Sequence, residues 1–122
     1  MRRQLRESLS SPSEDPTVII STRKTTYQLR LSLIEYVESH SKNSVLIHTS
    51  YGDEIRKSEG LGNFLKSAPK ELVRIHRQHA INLGKVLYID HEDQMVHLLG
   101  HRKGLSIGDM YYKELRERIK GR

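Results

Sequence analysis

Glu71-Leu-Val-Arg-Ile-His-Arg-Gln-His-Ala-Ile-Asn-Leu-Gly84 sets Arg74, His76 and Arg77, and then His79, into an otherwise apolar run. Positive charge here rides directly beside core-forming residues. A folded scaffold therefore holds it in place, which suits contact with a polyanion such as DNA. Leu72-Val-Arg-Ile75 has extended character, and Asn82 before Leu83-Gly84 is placed to satisfy backbone groups at a turn.

Outward from this stretch, short β-type runs dominate. Thr17-Val-Ile-Ile-Ser-Thr22 is one. In Tyr27-Gln-Leu-Arg-Leu-Ser-Leu33 apolar residues alternate at 27, 29, 31 and 33, which predicts a half-buried strand. Ile34-Glu-Tyr-Val37 starts another, Ser39 to Ser44 reads as a polar loop, and Val45-Leu-Ile-His-Thr49 follows. Tyr51-Gly-Asp-Glu54 reads as a hairpin turn into Ile55-Arg-Lys-Ser58. Val86-Leu-Tyr-Ile89 and Met95-Val-His-Leu-Leu99 bracket His91-Glu-Asp-Gln94 as a further hairpin, and Gly100 to Gly104 turns into Leu105-Ser-Ile107.

Two helices interrupt the pattern. Leu61, Phe64, Leu65 and Ala68 fall at i, i+3, i+4 and i+7, and Pro69 ends that helix. A C-terminal helix is expected from Asp109, with Asp109 as its N-cap and Tyr111, Leu115 and Ile119 as its inner stripe. About ten strands with one short internal helix and a C-terminal helix predict a mainly β domain of small antiparallel sheets. No second amphipathic helix follows the first closely enough for a helix-turn-helix. The domain is placed at residues 17–122, behind a Ser/Pro-rich leader or linker over residues 1–16.

Composition narrows the function. The 122 residues carry 21 Lys plus Arg against 15 Asp plus Glu, a formal +6. The first sixteen residues balance, Arg2, Arg3 and Arg6 against Glu7, Glu14 and Asp15, so the excess belongs to the folded part. It concentrates over residues 66–82 and 101–122, whereas Asp90-His-Glu-Asp93 is locally acidic. Clustered basicity favours nucleic acid or an anionic surface. Cysteine is absent, which removes disulfides and thiolate catalysis. No segment reads as a signal peptide or a membrane span, so a cytoplasmic location is expected. No serine lies in a glycine-flanked elbow, no glycine-rich phosphate loop is present and the carboxylates are scattered. The chain therefore does not read as an enzyme, and no cofactor is expected. His76 and His79 form a His-x-x-His pair without the carboxylate or cysteine that would complete a metal site.

The order of elements and three local motifs resemble the LytTR family of bacterial DNA-binding domains, from about Val18 to Arg118. Leu72-Val-Arg-Ile-His-Arg-Gln-His-Ala-Ile-Asn-Leu83 is similar to the family's core motif. Ile34-Glu-Tyr-Val-Glu-Ser39 with Val45-Leu-Ile-His-Thr49 resembles its strand, variable loop and strand. Gly104-Leu-Ser-Ile-Gly-Asp109 followed by Tyr111 resembles the ending before its C-terminal helix. The resemblance implies loops that enter the major groove and pairs of domains on tandem direct repeats. It also implies an output role in two-component response regulators, behind a receiver domain and its sensor kinase. Gly108-Asp109 departs from the serine-arginine pair frequent there, which puts that loop's cationic contact in doubt.

On this reading Arg77 pairs with a guanine edge, the alternative being an exposed arginine in a salt bridge. Arg74 and Gln78 are phosphate contacts. His76 touches phosphate or serves as a hydrogen-bonded structural histidine. Lys42, Asn43 and Ser44 form the variable turn, Lys42 toward phosphate and Asn43 toward adenine. Lys103, Asp109 and Lys113 complete the DNA-binding set, Asp109 being the expected helix cap or an acceptor from cytosine. Two other readings stay open: a protein-interaction module of the same fold, and an RNA-binding β domain. The second wants exposed aromatics, whereas Tyr27, Tyr36, Tyr88 and Tyr111 sit in apolar, buried-looking contexts.

Overall fold

The computed structural model describes residues 15–121. The expected leader lies almost wholly outside them. Among the described residues, ten strands form three antiparallel sheets with two helices, as the patterning predicts. The central sheet holds β3 (Ile34–Ser41), β4 (Ser44–Thr49), β5 (Glu54–Lys57), β6 (Leu72–His76) and β7 (His79–Asn82), in the order β5-β4-β3-β7-β6. A ribbon pairs β1 (Thr17–Ser21) with β2 (Thr26–Arg30). A third sheet orders β10 (Leu105–Ser106), β9 (Met95–Leu98) and β8 (Val86–Asp90), with β8 at its edge. Helix α1 spans Leu61–Lys66 and α2 spans Asp109–Lys120.

The apolar run at Leu72 is dense because β6 and β7 are buried on both faces. Leu72 and Ala80 point into a first core with Ile34, Val37, Ile47, Leu61 and Phe64. Val73, Ile75 and Ile81 point into a second core with Leu83, Val96, Leu98, Ile107 and Leu115. Strand alternation thus feeds two cores from one sheet, with β-branched residues suited to that pleated interior. Asn82 ties the two layers. Its buried amide donates to the carbonyls of Leu31 and Ile34 at 3.0 and 2.8 Å and accepts from Gly84 N–H at 3.0 Å.

Four expectations change. The alternation over residues 27–33 predicts one strand, but β2 stops at Arg30 and Leu31–Leu33 form a 3-10 turn. Asp15 captures that turn, its carboxylate accepting from Ser32 N–H at 2.8 Å and the Ser32 hydroxyl at 3.0 Å. The polar loop over residues 39–44 shrinks to a two-residue turn, Lys42-Asn43, because the strands continue to Ser41 and from Ser44. On α2, Tyr112 rather than Tyr111 packs on the core with Leu115 and Ile119. Tyr88 is 52% exposed rather than buried, stacked on His97 with ring centroids 4.5 Å apart.

Candidate nucleic-acid interface

Residues 76–79 are a tight β-turn between β6 and β7, and each of its basic side chains has a distinct task. The guanidinium of Arg74 reaches along the strand and donates to the carbonyl oxygens of His76 at 3.3 Å and Arg77 at 2.6 Å. His76 Nδ1 accepts from Gln78 N–H at 3.2 Å. Arg74 and His76 therefore shape the turn from inside, and both are half-buried. Arg77 and Gln78 are left exposed at its tip. His79, under the turn, has its proton affinity lowered, chiefly by burial and then by the neighbouring His76. Its ring lies 5.3 Å from that of His76.

Strand pairing brings the first loop to this turn. β3 runs antiparallel to β7, with Glu38 opposite His79, and Ser39 N–H donates to the Gln78 carbonyl at 2.8 Å. One open groove is consequently lined by Ser39, His40, Ser41 and Lys42 on one side and by Arg74, Arg77 and Gln78 on the other. Gly60, Leu61 and Gly62, at the start of α1, close it. Among the described residues, none of the ion pairs engages Lys42, Arg74 or Arg77; those found join His48 and His101 to glutamates. The groove's positive charge is thus uncompensated, which argues against the salt-bridged reading of Arg77.

Several expected site residues are reassigned. Ser44 is buried, and its hydroxyl lies 2.8 Å from that of Ser41, so it fastens the hairpin instead of facing outward. Asp109 is not the helix cap. Gly108 occupies the cap position, and the Asp109 carboxylate accepts from Gln94 Nε2 at 2.7 Å. Its charge in the first helical turn still matches the helix dipole. Lys103 lines a separate depression with Tyr36, His101 and Arg102. Lys113 is exposed on α2. The third loop nonetheless touches the second, since Gly108 N–H donates to the Ile75 carbonyl at 2.7 Å.

His40, Gly60 and Gly62 were not anticipated. A side chain at Gly62 would sit 3.5 Å from the Arg74 guanidinium, and one at Gly60 would sit 3.2 Å from the Lys42 carbonyl. The pair of glycines at the mouth of a short helix was the available signal. Met110, 89% exposed one residue beyond Asp109, carried none.

The family model for the LytTr DNA-binding domain matches residues 24–120. The chain belongs to the LytTR family of DNA-binding domains. A search of curated proteins returns no match. Among solved structures, the chain is similar to the LytTr DNA-binding domain of a Bacillus cereus response regulator. That likeness has a TM-score of 0.62 at 18% identity, and covers 87% of this chain and 97% of the other. At this identity the likeness is one of fold. The LytTR match agrees with the motif at Leu72–Leu83 and with the mainly β architecture, and it makes DNA binding the function of this domain class. Among the described residues, no helix is long and apolar enough to cross a membrane.

Proposed function

We propose that this LytTR domain recognises specific DNA sequence through the groove between the Lys42-Asn43 turn and the Arg77-Gln78 turn. Arg77 reads a guanine edge in the major groove and Asn43 an adenine, while Lys42 and Gln78 hold phosphates. Arg74 and His76 act behind the surface by fixing the turn. The third loop, at Gly108-Asp109 with Lys113 beyond it, abuts the same duplex through its bond to Ile75. The observation that carries this reading is the exposed Arg77, without a carboxylate partner among the described residues, on a turn braced by Arg74 and in one groove with Lys42.

In the cell such a domain acts as a transcription regulator or its output module in the cytoplasm, paired on tandem direct repeats and governed by a receiver domain and its sensor kinase. Random-duplex selection followed by titration of wild type and Arg77→Ala tests the recognition step. The variant loses on the order of 1–3 kcal/mol on the selected duplex and relaxes specificity at one base pair. An unchanged ratio between selected and scrambled duplexes defeats the base-reading role.

A further inference from the structure

Strand β8 is an edge. β9 pairs with one side of it, and among the described residues no strand pairs with the other. A free edge of this kind is a template for adding a strand. Its surroundings are apolar: Leu87 is 60% exposed and Tyr88 52%, and both line an open groove with Val86, Ile89 and Ile119 of α2. Exposed Leu99 stands beside them, its N–H donating to the Lys85 carbonyl at 2.8 Å. Contiguous apolar surface along an unpaired edge marks an association site.

Charge indicates which strand would be added. The start of β8 is basic, with Lys85 on the chain and Lys120 lining the groove from α2, while Arg116 lies over the Tyr112 ring toward the other end. Its end is acidic: Asp90 accepts from the N–H groups of Glu92 and Asp93, folding a turn that leaves those two carboxylates exposed. A strand with opposite charges at its two ends is complementary to itself when reversed.

We propose that β8 pairs antiparallel with β8 of a second copy, joining two three-stranded sheets into one of six strands. The two-fold axis passes near Tyr88. Leu87, skipped where the β9 pairing shifts from Tyr88 to Val86, projects from the edge toward the other copy, and each acidic turn over residues 90–93 lies on the other's Lys85 and Lys120. The contact is isologous and closed, so it stops at two copies and leaves no free β8 edge. It uses none of the residues assigned to the DNA groove, and its two-fold symmetry makes it a contact separate from the head-to-tail pair on direct repeats, joining domains bound at different sites.

Sedimentation velocity of the 122-residue chain without DNA, over a concentration series reaching high micromolar, tests this. Wild type is expected to move from monomer to dimer, with dissociation favoured by added salt because exposed charges are screened. Lys85→Glu with Lys120→Glu makes both ends acidic, and Glu92→Lys with Asp93→Lys makes both basic, so each double variant alone stays monomeric. Mixed in equal amounts they form a heterodimer, because every end now meets its opposite. That rescue also shows both variants to be folded. A wild type that remains monomeric throughout the series, or variants that dimerise alone and gain nothing on mixing, overturns the proposal. Dimerisation abolished by Arg77→Ala and unaffected by the end-charge swaps also overturns it.

Discussion

Arg74 holds Arg77 by its backbone: the Arg74 guanidinium donates to the Arg77 carbonyl at 2.6 Å, while the Arg77 side chain is left free. A second donation, to the His76 carbonyl, makes the arginine a two-point brace that a planar fork can provide and a single ammonium cannot. Arg74→Lys keeps the charge and loses the brace. The expected result is weaker binding to the selected duplex, by on the order of 1–3 kcal/mol given the loss of charged-donor hydrogen bonds, with a smaller loss on scrambled duplexes. Paired duplex titrations of the variant and wild type check this, and full activity of the lysine variant would reduce Arg74 to its charge.

Lys42 and Lys103 separate in the fold, so they separate in the salt dependence of binding. Lys42 shares the groove with Arg77, whereas Lys103 lines another depression. Lys42→Ala is expected to lower the log–log salt slope by about 0.9, the share of one phosphate contact, and Lys103→Ala to leave it unchanged. Titrations at four or five salt concentrations decide between one basic surface and two.

Asn82 satisfies two buried carbonyls and one amide that no other side chain reaches. Asn82→Ala strands the buried Ile34 carbonyl and takes one of two donors from that of Leu31, which keeps the Ile34 N–H. Thermal or urea unfolding is expected to report a loss on the order of 2–4 kcal/mol, since unmet buried polar groups carry the full desolvation cost. Asn82→Asp keeps the acceptor but removes both donations, so it does not restore stability.

His79 gives the domain an acid limb. Burial, then His76, lowers its proton affinity from the ordinary value of 6.5, so the folded state favours the neutral ring. The unfolded chain takes up the proton first as pH falls, which makes this contribution complete above the ordinary histidine value and progressively lost below it. Unfolding midpoints at about pH 8 and about pH 5.5 are therefore expected to converge in His79→Gln relative to wild type. An identical pH difference in both proteins would remove His79 from the acid response.

Local pattern carried most of the fold. The strand at Val45–Thr49 and the helix from Leu61 follow from apolar spacing, because each buries one side against a core. Alternation could not reveal that β2 ends at Arg30, since Leu31 is buried either way and the turn is held by Asp15, seventeen positions before the Ser32 it captures. The site divides similarly. That a charged Arg77 stands exposed beside core residues was legible from the sequence. That Arg74 and His76 face inward was not, because their partners are carbonyls and amides of the turn itself. Asp109 had the residue type of a cap, but Gly108 took that place and Gln94 supplied the aspartate's partner from another hairpin.

The bond from Gly108 N–H to the Ile75 carbonyl couples the start of α2 to the strand that leads into the Arg77 turn. A push on α2, whether from a neighbouring domain or a bound protein, would travel one residue past Ile75 into the peptide that Arg74 clamps. A signal arriving at the C-terminal helix would then have a short path to the surface proposed to meet DNA.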